Sequence, residues 1–300
     1  MYAILGATGH TGSVAADKLL AAGQKVRVIG RDAKRLQRFT QKGAEAVVAD
    51  ATDAAALEKA LDGARAVYAL IPPNIGAPDV RAYQEKVTDA TTAAIQKTGI
   101  GHVVLLSSTG ADKTSGTGPV QGLHAFEKKL EALRGLNVIS LRAGYFMENL
   151  LAQAGIIPSF GFVATPLRGD LGLPMIATRD IGAVAADLLT KLDFSGKQTR
   201  ELLGARNVSY VEAAKVIGAA VGKPELTYRQ VPGPQVKSAM MQMGMSESMV
   251  DLILEMCEAL NTGHMKPLEP RSAQNTTATS VETFVADVFV PAYRGKAARA

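Results

Sequence analysis

Cysteine is almost absent. Cys257 stands alone among 300 residues, so no internal disulfide can form and no cysteine-rich metal site can be assembled. That scarcity suits a reducing compartment, and a cytoplasmic protein is the expectation. Histidine is sparse as well: His10, His102, His124 and His264 are scattered, with no HExxH pattern. No metal site is therefore expected. The G-x-S-x-G signature of an elbow serine is missing, which sets hydrolysis aside. No apolar run reaches the roughly 20 residues that cross a bilayer, and a first strand at residue 2 is expected to leave no room for a signal peptide. Charge of one sign is modest. Charged residues make up 20%, the net charge is +5, and no basic run coincides with aromatics. Neither nucleic acid nor a membrane is an expected partner.

What is present begins at the first residue. Met1 to Gly12 reads MYAILGATGHTG. Tyr2 to Leu5 is an unbroken apolar run, as a central parallel strand requires, and an amphipathic helix is predicted from about Ser13 to Leu20. Between them the spacing has a mechanism. Gly6 turns the chain off the strand, Gly9 lets backbone approach a pyrophosphate, and Gly12 permits close helix–strand packing. The helix N-terminus then offers N–H groups and partial positive charge to phosphates. Thr8 and Thr11 add hydroxyl donors, and His10 lies in the same loop. Dinucleotide binding is the reading; a ligand-free glycine turn is the alternative.

Strand and helix signals then alternate. Strands are predicted at 24–29, 46–49, 66–70, 103–106 and 137–141, with helices at 54–61, 80–97 and 122–133. Such alternation implies right-handed crossovers and a parallel sheet with helices on both faces. The fold class is a doubly wound α/β Rossmann sheet, in which ligands sit beyond the carboxyl ends of the strands. A Rossmann domain is expected over 1–155, with 173–195 returning to it. A second, smaller α/β part over 156–300 is expected to bind substrate.

The residues after each strand are therefore the candidates. Gly30-Arg31-Asp32 follows strand two, with Lys34 and Arg35 close behind. NAD proteins commonly place an acid at this strand end for the ribose hydroxyls, whereas a guanidinium can bind a 2′-phosphate in bidentate fashion. Arg31 favours NADP(H); Asp32 keeps NAD(H) open. Asp50 and Ala51 are placed to meet the adenine edge, with Asp53 as an equally good helix cap. Leu70, Ile71, Pro72 and Pro73 would pass beside ribose and pyrophosphate. Ser107, Ser108 and Thr109 would direct hydroxyls toward the nicotinamide, or serve only as turn formers. Gly144, Tyr145 and Phe146 would wall the nicotinamide end, with Glu148 and Asn149 starting or capping the next helix.

Beyond Gly144 the pattern loosens. Gly155 to Gly172 reads as a pocket rim or lid. A helix from Ile181 to Leu192, opened by Asp180, returns to the main domain, and a strand at Arg200–Leu203 belongs to the smaller part. A helix at 211–221, a strand at 226–231 and two helices within 234–261 follow. These last carry Met240, Met241, Met243, Met245, Met249 and Met256, read as core filling or as the lining of an adaptable apolar pocket. Pro267 to Thr277 is linker-like, a last helix covers about 281–289, and the tail from Arg294 is expected to fray.

Taken together, GATGHTG at 6–12, Arg31, the SST of 107–109, LRAGYFMENL at 141–150, TRDIG at 178–182 and SYVEAAKVIGAAVGK at 209–223 resemble the NmrA-like group of atypical short-chain dehydrogenases/reductases. The resemblance spans nearly the whole chain. It implies a Rossmann fold and either an NADPH-dependent reduction of quinones, dyes or enones, or a redox-sensing regulator without chemistry. One departure is plain: no tyrosine has a lysine four residues later, so the Tyr-x-x-x-Lys of short-chain dehydrogenases is missing. On the matching helix stand His124 and Lys128, one above the other at i and i+4. By the resemblance, Lys128 would hold the nicotinamide ribose, and His124 could donate a proton near neutral pH. The alternative is a solvated face of Glu127, Lys128 and Lys129. The expectation is an oxidoreductase moving hydride from NADPH to a small apolar or aromatic acceptor. A non-catalytic sensor acting through a protein partner is the alternative, and a homodimer is compatible with either.

Overall fold

Tyr2–Leu5 form strand β1, and all four side chains are buried. Their alternation separates two cores: Tyr2 and Ile4 face one helical layer, Ala3 and Leu5 the other. The chain is described by a computed structural model over residues 1–297. After β1 come α1 (His10–Ala21), β2 (Val26–Gly30), α2 (Ala33–Thr40), β3 (Glu45–Val48), α3 (Ala54–Leu61), β4 (Ala66–Ala69), α4 (Val80–Thr98), β5 (His102–Ser108), α5 (Val120–Glu131) and β6 (Asn137–Ala143). The second half adds β7 (Tyr145–Phe146), a 3₁₀ turn (Met147–Ala152), α6 (Gln153–Phe160), β8 (Phe162–Thr165), β9 (Leu173–Ile176), α7 (Thr178–Lys191), β10 (Lys197–Leu202) and β11 (Asn207–Val208). It closes with α8 (Tyr210–Val221), β12 (Thr227–Gln230), α9 (Gly233–Gln242), α10 (Glu247–Asn261), α11 (Val281–Phe284), a π turn (Val285–Phe289) and α12 (Val290–Ala297).

Seven parallel strands in the order β10-β6-β5-β4-β1-β2-β3 make the central sheet. The order reverses between β1 and β4, the crevice in which doubly wound sheets bind ligands. One face is packed by Ala15, Leu19, Leu36, Phe39, Ile181 and Leu189, the other by Leu57, Leu61, Ala94, Ile95, Phe126 and Leu130. A third core joins the 3₁₀ turn, β8, β9, α8 and the C-terminal helices around Tyr210, Phe284 and Phe289. Cys257 is buried within it. Among the described residues no helix is long and apolar enough to cross a membrane.

Several sequence expectations change. Helix α2 escapes the periodicity because only Leu36 and Phe39 of its eight residues are buried. The strand near 200 pairs with β6 and so extends the main sheet instead of the smaller part. Residues 155–172 hold ordered elements, α6 and β8, and only Leu171 and Gly172 reach the cavity described below. Helix α9 buries no residue, so Met240, Met241 and Met243 fill no core; Met249 does, beside Ala77, Val80 and Leu252. Pro267–Thr277 is a bound strap. The buried Glu201 carboxylate accepts the Leu268 and Glu269 N–H groups, and Arg271 donates to Leu203 O. Arg294–Ala297 continue α12, while the expected fraying of 298–300 lies outside the described residues.

Helix α7 returns to α1 along a stripe of small residues. A β-carbon at Gly182 would stand 2.5 Å from Thr11 O and 2.7 Å from Val14 Cβ, so only glycine allows this approach. Gly182→Ala is expected to lower stability by about 1–3 kcal/mol through overpacking. Urea denaturation measures it, and an unchanged midpoint would refute a tight contact.

Candidate functional site

The turn after β1 is where the sheet meets its ligand crevice. Gly6 has φ +61, a left-handed conformation that glycine adopts without strain. Its carbonyl accepts the Gly9 N–H at 2.8 Å. A β-carbon at Gly12 would lie 2.5 Å from that same carbonyl, and one at Gly9 3.2 Å from it. Helix α1 therefore begins three residues earlier than the sequence suggests, with Gly9 as its cap. Its first turn has no side-chain cap and no acid. His10 is exposed beside the loop, Thr8 half-buried, and Thr11 buried. The unfilled N–H groups and the glycine approach fit a pyrophosphate.

At the end of β2 two guanidinium groups gather. Arg31 is exposed, and Arg35 donates to Thr8 O at 2.8 Å, which fixes a positive charge over the glycine loop. Asp32 is occupied as the cap of α2, accepting the Lys34 and Arg35 N–H groups at 2.9 and 3.3 Å. Both capping hydrogen bonds fall on Oδ1 of Asp32, and the cationic edge fits a 2′-phosphate. Asp53 caps α3 through Ala56 N–H. Asp50 accepts the Thr52 N–H and hydroxyl at 2.8 and 2.7 Å. Those two hydrogen bonds, helped by Arg31, hold its carboxyl below the usual carboxylate range. Asp50 and Ala51 lie at the same crevice edge as Arg31, but the Asp50 carboxylate is already engaged. Leu70 closes the crevice floor, its Cδ1 3.0 Å from where a β-carbon on Gly6 would stand. Ile71 is half-buried on the opposite core, and Pro72 O accepts the Tyr83 hydroxyl at 3.0 Å.

Strand β5 divides its hydroxyls by parity. Ser107 continues the face of Val103 and Leu105 and turns under α5, where its hydroxyl donates to Glu127 at 2.5 Å. Its expected cofactor contact is a correction: the buried hydroxyl points away from the crevice. Ser108 and Thr109 are the residues that line the cavity described below. Glu127, which the alternative reading put on a solvated face, is 1% exposed and receives Arg142 through Nε at 3.1 Å and Nη2 at 2.6 Å. This fork raises the Arg142 pKa above its ordinary value. Arg142 was detectable as a lone cation in the apolar strand NVISLRA, but only the fold supplies its partner.

His124 and Lys128 are corrected too. The Lys128 ammonium, 60% exposed, pairs with Glu131 at 2.7 Å on the outer face of α5. His124 Nδ1 donates to Ala111 O at 2.8 Å and ties the loop after β5 to the helix. Neither lines the cavity. The two side chains are thus engaged with different partners, His124 with the loop after β5 and Lys128 with Glu131.

That cavity, about 240 Å³, opens where β5 and β6 end. Ser108, Thr109, Gly144, Tyr145 and Phe146 form its floor, and Asn149 joins them. Its outer wall is Met256 and Leu260 of α10 with Met265, Lys266 and Pro267 of the strap. Of the methionine set only Met256 arrives here; the strap gave no sequence signal. Gly144 is required by packing, since a β-carbon would stand 2.3 Å from Pro174 O. Tyr145 and Tyr210 share a hydrogen bond of 2.9 Å between hydroxyls, and burial pushes the Tyr145 phenol well up, so it stays protonated. The Thr109 hydroxyl is buried without a partner. Glu148, expected to cap the next helix, caps α7 across space by accepting Thr178 N–H and its hydroxyl. Among the described residues no cluster of His, Cys, Asp or Glu could hold a metal ion.

A family model described as the NmrA-like family matches residues 2–285. The NAD(P)H azoreductase of Xenophilus azovorans is 31% identical over 258 residues, 85% of this chain and 86% of the relative. Quinone oxidoreductase 2 of Escherichia coli (strain K12) is 28% identical over 259 residues, 85% of this chain and 86% of the relative. The crystal structure of the Escherichia coli NADPH-dependent quinone oxidoreductase complexed with NADPH superposes with TM-score 0.79 at 24% identity, over 96% of this chain and 100% of that one. That superposition shows the shared fold.

Glu127 and Lys128 adjoin in sequence and differ in consequence. Glu127→Ala leaves Arg142 without its buried partner and is expected to cost about 3 kcal/mol, whereas Lys128→Ala is expected to stay within about 0.5 kcal/mol. Denaturant midpoints of the two variants check both. Equal losses would refute the assigned faces of α5.

Proposed function

The chain belongs to the NmrA-like family, and from that premise we propose that it reduces a quinone-like, azo-dye-like or enone acceptor held in the cavity at the ends of β5 and β6. It is an NAD(P)H-dependent oxidoreductase, the class to which the relatives matching 85% of its length belong. NADPH, when bound, supplies the hydride. The observation that carries the reading is the position of an apolar cavity at the carboxyl ends of β5 and β6, on the edge of the sheet at which doubly wound folds bind ligands.

The chain's own residues have separable tasks. The N–H groups of the first turn of α1 and the open backbone at Gly9 would hold the pyrophosphate, and Arg31 with Arg35 the 2′-phosphate. Gly144, Tyr145 and Phe146 would border the nicotinamide end. Thr109, with a buried and unpartnered hydroxyl, would donate to the acceptor's carbonyl oxygen or azo nitrogen, with Ser108 beside it. Met256, Leu260 and Met265 exclude water and adapt to flat rings. Water supplies the proton, because His124 and Lys128 are engaged elsewhere and the Tyr145 phenol is held protonated by burial. The missing Tyr-x-x-x-Lys thus accords with acceptors that need hydride more than a dedicated acid.

NADPH oxidation followed against quinones, azo dyes and enones, with NADH in parallel, tests the reading. Turnover confined to one acceptor class is the expected result. Tight NADPH binding with no turnover on any acceptor would overturn it in favour of the sensor. Arg31→Ala is expected to weaken NADPH binding by about 1–3 kcal/mol, the range for a lost charge-assisted hydrogen bond, with little effect on NADH. Equal losses for both cofactors, by titration, would refute the 2′-phosphate contact.

A further inference from the structure

Lys266 is the one charged side chain among the residues that line the cavity. Some lysines are neutralised where they stand, as Lys113, Lys128 and Lys237 hold carboxylates at 2.8, 2.7 and 2.7 Å; what distinguishes Lys266 is its place on the cavity. The Lys266 ammonium has no hydrogen-bond or ion-pair partner among the described residues. No carboxylate lines the cavity to compete for it.

Its backbone is also held more firmly than that of an ordinary surface lysine. On one side Met265 is buried, its N–H donates to Ala259 O at 2.9 Å, and its side chain packs on Gly110. On the other side Pro267 restricts the chain, and the N–H groups of Leu268 and Glu269 are bound by the buried Glu201 carboxylate at 2.9–3.1 Å. The ammonium stays exposed and solvated, so it burdens the empty cavity little. The low-dielectric walls beside it focus its field toward the mouth.

We propose that Lys266 determines specificity in this cavity by selecting aromatic acceptors that carry an anionic substituent (sulfonate, carboxylate or phosphate) at the end facing the mouth. The inference rests on the reductase reading of the same cavity and adds the charge of its substrate. The flat ring lies among Phe146, Met256 and Leu260, and the anion meets the ammonium at the rim, where a cation held in place by its backbone loses less freedom on binding.

Two fluorescent probes of one shape separate the charge from the ring: anionic 8-anilinonaphthalene-1-sulfonate and neutral N-phenyl-1-naphthylamine. Titrations of the full chain with NADP⁺ saturating give the ratio of their affinities in wild type, Lys266→Met and Lys266→Arg. The preference for the anionic probe is expected to fall about fivefold in Lys266→Met, the upper end for a solvent-screened pair, to survive in Lys266→Arg, and to shrink with added salt. An unchanged ratio in Lys266→Met overturns the proposal. In the kinetic arm, selectivity for 1,2-naphthoquinone-4-sulfonate over 1,2-naphthoquinone should fall in Lys266→Met, mainly through KM. If wild type reduces neither quinone nor any other acceptor, the reductase reading fails, and the probe ratio still decides the role of Lys266.

Discussion

The approach of α1 to the end of β1 is the contact on which the rest depends. Gly12 stands where a methyl group would be 2.5 Å from the Gly6 carbonyl, and Gly182 of α7 meets the carbonyl of Thr11 at the same notional distance. Three layers of backbone therefore stack with nothing but hydrogen between them. That stack aims the open end of α1 at the crevice formed by the reversal of strand order. The return of the second half of the chain through α7 rests on it. A side chain at either glycine would have to move backbone, which packed interiors resist.

Glutamate carboxylates make three of the joints. Glu127 gathers Ser107 of β5 and Arg142 of β6 onto α5. Glu148 leaves the turn after β7 to cap α7. Glu201 leaves the edge strand to hold the strap that walls the cavity. Each accepts hydrogen bonds from groups that would otherwise be orphaned, which is how a charge can lie at an interior junction without a large desolvation penalty. Of the three, the Glu201 joint is the one that binds the sheet to the strap, and so bears on the shape of the cavity without touching its contents.

Much of the first half was legible in the sequence because its signals are local. Strands β1, β4 and β6 announce themselves as apolar runs, α3 by its apolar spacing, and the glycine loop by the spacing that close approach demands. Arg31 was legible for the same reason, since it follows a strand whose end the topology sends to the crevice. The errors share a cause. Ser107, His124 and Lys128 were placed by position along an element, while their surroundings depend on which way a face is turned. For Ser107 a single step of strand parity decides between the crevice and Glu127. For α5 the rotation of the helix buries Glu127 and exposes its neighbour Lys128.

The sequence by itself determined the doubly wound sheet, the glycine turn after β1 and the family. These rest on interactions within a few residues of one another, or on glycines that no other residue can replace. Only the tertiary structure decided what walls the cavity and what charge stands at its mouth. Met256, Met265 and Lys266 reach Ser108 and Gly144 across more than a hundred residues, by way of a strap that reads as a linker until Glu201 and Met265 are seen to hold it. Contacts of that kind leave no periodicity in the chain, because each is made once, between elements whose meeting is set by packing.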